Sequence, residues 1–265
     1  MRNKIILFIT IILVILAVFS SFIAPFNPNL SDFSNTNLAP NSTHFFGSDF
    51  LGRDIFSRTL YGLKNSLIIG TIAGFIATII AFLYASLSLI KPLQNSLQSG
   101  IDAFLSIPNI LFILTFASIT GGGIISIILV ISLFSWMSSA KVFIGRINLL
   151  YQSPFIIQSM SLGASKFKVL FYEVLPNLKG LFLSLFAINS AHAISHEATL
   201  SFFGMAGDLN MISLGLMINE STNALFMGAW WVAFFPGFML FLLIFCIVSI
   251  TPDDKGIKIW LKFQI

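Results

Sequence analysis

The residues best suited to chemistry lie in one stretch, Ala191-His192-Ala193-Ile194-Ser195-His196-Glu197-Ala198-Thr199-Leu200-Ser201-Phe202-Phe203-Gly204. His192 and His196 are four apart, so a helix puts them on one face. Glu197 then lies about 100° round from His196. Neutral imidazole suits nickel, copper and zinc, and a paired-histidine face can hand a divalent cation along a path. Protonated imidazole binds no metal, so such a role weakens as pH falls through the histidine range, about 6.5 for an unshifted group. The order is not His-Glu-x-x-His, so the stretch does not read as a zinc protease. The same two side chains can instead satisfy buried hydrogen bonds near a membrane boundary. Elsewhere no Ser/His/Asp, Cys/His or paired-carboxylate set has a catalytic spacing. No Gly-x-x-x-x-Gly-Lys-(Ser/Thr) string occurs, so there is no P-loop for ATP. Met205, Met211, Met217 and Met227 can offer soft ligands, or flexible apolar packing, in or beside a last outer loop that Asp208 and Glu220 make acidic. His44 reads as a structural loop histidine and Asp102 as an interface anchor.

The elements that carry these residues belong in a bilayer. The 265 residues are 57% hydrophobic and 9% charged, against about a quarter charged in a soluble domain. The fold class is therefore all-α and polytopic. Apolar runs fall at 5–24, 66–90, 101–120, 124–144, 181–203 and 229–250, giving about six spans. The first sits behind Arg2 and Lys4 and reads as an uncleaved span, because Ser21-Phe22-Ile23-Ala24-Pro25 is a poor cleavage site. Six spans put both termini on one side. Of the 14 Lys and Arg residues, only Arg53, Arg58 and Lys64 then fall outside; the rest, the tail lysines Lys255, Lys258 and Lys262 among them, fall inside, which makes the termini cytoplasmic. The net charge of +4 thus reflects topology and not a nucleic-acid partner. Cys246 lies in an apolar run and reads as a small core residue. Residues 1–65 form a first span plus an outer segment, and 66–265 a permeating core with a cytoplasmic loop at 145–180.

That loop reads as two short helices. Ser153 is expected to cap the first, with Pro154 in its first turn. Gly163 can end it in a left-handed conformation, Ser165 can cap the second, and Pro176 breaks it. A cytoplasmic loop holding a short amphipathic helix suits either docking in a groove of another protein or rest on the membrane surface. The outer segment holds Phe46-Gly47-Ser48-Asp49-Phe50-Leu51-Gly52-Arg53-Asp54-Ile55-Phe56-Ser57-Arg58, closing with Tyr61-Gly62 and Ser66-Leu67. Gly47 and Gly52 allow tight turns, Asp49 can cap a helix, and Arg53 and Arg58 can pair with Asp49 and Asp54.

Two of these strings resemble one family. The outer string is similar to the Gly-(Thr/Ser)-Asp-x-Leu-Gly-Arg-Asp-x-x-Ser-Arg signature of peptide/opine/nickel importer permeases, through Gly47, Asp49, Gly52, Arg53, Asp54, Ser57 and Arg58. Gly163 followed by Leu175-Pro176 resembles the "EAA" loop of ABC-importer permeases. The positions that would carry Glu-Ala-Ala read Ile157-Gln158-Ser159, so the glutamate is absent. The resemblance covers nearly the whole chain. It implies a type I importer permease in a bacterial cytoplasmic (inner) membrane, with a second homologous permease subunit, two ATP-binding cassette subunits that use the ATP, and an extracytoplasmic solute-binding protein. It implies no enzyme activity and no cofactor bound by this chain. It assigns Gly163, Ala164, Leu175 and Pro176 to coupling with the ATPase, and His192, His196 and Glu197 to the translocation pathway. Peptide-type permeases usually carry apolar residues at both histidine positions before a Glu-Ala-x-Leu-Ser-Phe string. The histidines look like those of nickel-type permeases, which makes nickel, free or chelated, the expected solute and His192 and His196 its ligands. A short peptide is the alternative. An ion-coupled transporter would need no ATPase, and a membrane metalloenzyme would turn over a substrate alone.

Overall fold

The computed structural model describes residues 2–88, 91–205 and 211–250. Its helices, in chain order, are α1 (Arg2–Val18), α2 (Ser20–Ile23), α3 (Ile55–Leu87), α4 (Lys91–Leu105), α5 (Asn109–Thr120), α6 (Ile124–Ser135), α7 (Met137–Tyr151), α8 (Pro154–Ser161), α9 (Lys166–Val169), α10 (Leu175–Asn177), α11 (Lys179–Phe202), α12 (Leu214–Phe226) and α13 (Trp231–Ser249). A π-helical run, Leu170–Val174, joins α9 to α10. Among the described residues there is no strand. The tail lysines and Asp208 lie outside the described residues.

Spans are less regular than the apolar runs suggest. Among the described residues, only α3 and α13 are unbroken helices long and apolar enough to cross a bilayer. The expected third span divides into α4 and α5, bent by 77°. Pro108 explains the break: it denies the helix a donor and pushes Ile107 out of helical geometry. The fourth divides at Trp136 into α6 and α7, bent by 41°. The first stops at Val18, restarts at Ser20 and ends at Ile23. The outer segment was expected to run to residue 65, yet α3 begins at Ile55 and carries the chain across that boundary without interruption.

Lipid offers little hydrophobic drive for helix association, so close backbone approach and polar contacts must hold the bundle. α3 and α11 form its most extensive pair. Gly74 makes this possible, since an added Cβ would lie 2.5 Å from the Ser190 amide nitrogen. Two polar knots then pin α11. The Asn189 amide donates to Thr78 Oγ1 of α3 at 2.9 Å and accepts from Ser139 Oγ of α7 at 2.8 Å. Lower-dielectric surroundings make such satisfied contacts specific. The second knot is built on Glu197.

Candidate functional site

Glu197 is 0% exposed. Ser66 of α3 donates to its Oε2 at 2.8 Å, Ser201 donates to its Oε1 at 2.7 Å, and Ser213 adds a third hydroxyl. Ser213 also caps α12 by accepting from the Leu216 N–H. The carboxylate therefore ties α3, α11 and α12 together. His192 and His196 sit on a different, open face of α11: His192 is exposed and His196 half-buried. Neither ring is hydrogen-bonded to another described residue. Among the described residues no three His, Cys, Asp or Glu side chains gather at a metal's reach. The two histidines come together as expected, and Glu197 does not join them.

The outer string folds into a knot around α3. Gly47 and Gly52 hold φ of +76° and +73°. At Gly52 a Cβ would lie 1.7 Å from the Asp32 carbonyl oxygen, so no other residue fits that turn. Asp54, not Asp49, caps the helix: its Oδ2 accepts from the Ser57 N–H at 2.8 Å, and its Oδ1 faces His44 Nδ1 at 2.9 Å. His44 also stacks on Phe26. Asp49 instead closes its own turn, accepting from the Leu51 and Arg53 N–H groups and from Arg53 Nε at 2.6 Å. Arg58 does not pair with Asp54. Arg53 and Arg58 converge on Glu220 at 2.8 and 2.7 Å, and Arg58 donates to the Pro28 carbonyl as well. A helix covers this site where a loop was expected. α12 buries Leu214, Met217, Ser221 and Ala224, spaced three, four and three, and carries Glu220. Met211 and Met217 are buried packing residues, while Met227 is exposed. Asp102 pairs with Lys141 of α7 at 2.6 Å on the surface.

At the inner end, α7 continues to Tyr151, so Gly145–Tyr151 is helix and the loop is shorter than 145–180. Ser153 does not cap α8; its hydroxyl donates to the Leu150 carbonyl at 2.5 Å. Pro154 stands in the first turn of α8 as expected. Gly163 holds φ +89° and donates to the Met160 carbonyl at 3.1 Å, and Ala164 donates to Ser159 O at 3.1 Å. Ser165 accepts from the Lys168 N–H at 3.3 Å. Pro176 cannot donate backward, and the helix ahead of it widens into the π-helical run before a 62° bend into α11. Ile156, Val169 and Val174 are buried and continuous with the core of α3, α6, α7 and α11. Fully burying each contributes about 1.5–3 kcal/mol. The opposite face bares Leu162 at 83%, Phe167 at 76% and Tyr172 at 77%. The loop thus has its underside rooted in the bundle and bares an apolar face on the other side.

The model of the family of binding-protein-dependent transport system inner membrane components matches residues 67–251, from α3 through the loop to α13. The chain belongs to that family. This binding-protein-dependent permease is 29% identical to the dipeptide transport system permease protein of Bacillus subtilis over 88% of this chain and 74% of the relative. It is 33% identical to a glutathione transport system permease protein of Escherichia coli, over 88% and 77%. It is 26% identical to the oligopeptide transport system permease protein of Bacillus subtilis, over 88% and 77%. As an ABC-importer permease it is a multi-pass inner-membrane transport protein and not an enzyme. The ATPase and the binding protein are partner components.

Proposed function

We propose that this chain forms half of the translocation pathway of an importer for short peptides. The support is that relatives matching nearly nine-tenths of the chain are named for dipeptide, oligopeptide and glutathione transport. In this reading a second homologous permease subunit completes the pore. An extracytoplasmic binding protein delivers the solute, and two ATPase subunits use the ATP. This chain holds no cofactor of its own. Gly163, Ala164, Leu175 and Pro176 belong to the surface that the ATPase pushes.

Both termini are cytoplasmic in this scheme, and the charge asymmetry supports it. Ser42 and Gln158 are both exposed, and Cys246 is buried. An impermeant thiol reagent on intact cells is expected to label Ser42→Cys and to leave Gln158→Cys untouched. Labelling only at 158 would invert the topology.

Nickel, free or chelated, is the second reading, and the open His192–His196 face favours it. The double change His192→Ala, His196→Ala is expected to leave dipeptide uptake within about twofold. If nickel is carried on the imidazoles, the same change cuts nickel uptake at least tenfold with the amount of assembled complex unchanged. Labelled dipeptide and radioactive nickel in a deletion strain separate the two. Absence of dipeptide uptake in the parent strain would defeat the peptide reading.

A further inference from the structure

Two short helices joined by the four residues 162–165 make a poor lever. α8 has 8 residues and α9 has 4, and helices this short have little stability of their own. A push on α8 would bend the chain at Gly163 unless a second tie crossed the turn. One does. The Ser159 hydroxyl of α8 donates to Glu173 Oε1 in the π-helical run, 14 residues on. Glu173 is the single acid between Gly145 and Lys179, and a hydrogen bond to a charged acceptor is roughly twice as strong as a neutral one. The Glu173 backbone carbonyl is held in turn by the Asn177 amide at 2.7 Å.

The same carboxylate stands over the end of α7. α7 packs against the π-helical run, and Tyr151 lies within the field of the Glu173 charge. Glu173 Oε2, the Tyr151 hydroxyl and Arg146 Nε are all buried without partners among the described residues. The Glu173 carboxylate and the Tyr151 hydroxyl thus share the joint between the loop and the bundle. Ile157, at the first of the three Glu-Ala-Ala positions, has no carboxylate, and Glu173 places one inside the loop instead.

We propose that Glu173 is a positioning residue for energy coupling: by accepting from Ser159 it locks α8 to the π-helical run and so to α7, making the loop one rigid body. This rests on the loop being the surface an ATPase pushes. Force on α8 is then delivered to α7 and, through the apolar root of Ile156, Val169 and Val174, to the membrane bundle.

The test uses the whole transporter, purified with its partner subunits and reconstituted, with labelled dipeptide uptake counted per ATP hydrolysed. Ser159→Ala removes the donor alone and is expected to lower uptake per ATP at least threefold with normal ATPase co-purification. Ser159→Thr, which keeps the hydroxyl, is expected to restore it. Glu173→Ala should match Ser159→Ala, and the double variant should lose no more than the worse single. Unchanged uptake per ATP in Ser159→Ala would overturn the proposal, as would losses that multiply in the double variant. If Glu173→Ala fails to assemble, the alanine–threonine comparison at 159 decides alone. Failure of the docking reading looks different: the ATPase would co-purify and drive transport normally when the Gly163 turn itself is broken.

Discussion

Gly163→Pro is expected to abolish uptake while leaving the chain in the membrane. Proline fixes φ near −65°, about 150° from the +89° that Gly163 adopts. It also deletes the N–H that bonds the Met160 carbonyl at 3.1 Å. Space is not the obstacle, because a Cβ at 163 would meet nothing within 4 Å. The damage should therefore follow backbone conformation. Asparagine tolerates the left-handed region and is expected to retain most uptake, alanine should lose part at a cost of about 1–2 kcal/mol, and proline should lose all. Labelled dipeptide uptake, read beside the amount of ATPase co-purified, orders the three. Full uptake in the proline variant would remove this turn from any coupling role.

The second large effect falls at the other end of the molecule. Glu220→Ala removes the shared acceptor of Arg53 and Arg58, and the Arg58 side chain is 2% exposed. A buried guanidinium stripped of its carboxylate costs about 3–5 kcal/mol, and the partial exposure of Glu220 places this case at about 3. Against a total stability of about 5–15 kcal/mol that is large. Membrane abundance and thermal stability in detergent are both expected to drop. Glu220→Gln, which keeps an acceptor oxygen, should lose less, and Arg58→Met with Glu220→Leu should recover part of the loss. An alanine variant as abundant and as stable as the parent would show that the three charges do not support one another.

What was legible in the sequence was local. The turn at Gly163, the proline at 154 and the cap at Ser165 are chemistries of a few neighbouring residues, and each is found in place. The charges of Asp49 and Arg53 lie four apart and meet. Arg58 and Glu220 lie 162 apart, and no local rule joins them. The same distance hid the role of Glu197, whose partners Ser66 and Ser213 come from other helices. α12 was missed for another reason: Ser213 and the spacing of Leu214, Met217, Ser221 and Ala224 mark a capped amphipathic helix, but its polar residues resemble a loop between spans. The break at Pro108 was readable from the proline alone. An apolar run long enough to cross conceals such a break, because hydropathy measures length and not continuity. The solute was the least legible feature, since two histidines suggested nickel where the relatives are named for peptides.

The broken third span bears on what must surround this protein. α5 has 12 residues, about 18 Å against a hydrocarbon layer about 30 Å thick, so α5 alone is too short to cross it. Ser106, Ile107 and Pro108 at the break are exposed on this chain, and Asn109 beside them has a buried amide oxygen without a partner. The amides at the break are bonded within the chain, Ser106 N–H to the Asp102 carbonyl at 3.1 Å and Ile107 N–H to the Phe104 carbonyl at 3.2 Å, so the Asn109 amide oxygen is the polar atom left for a neighbour or water to satisfy. A surface that covers this bend must therefore offer a donor to Asn109 as well as apolar contact to the exposed Ile107.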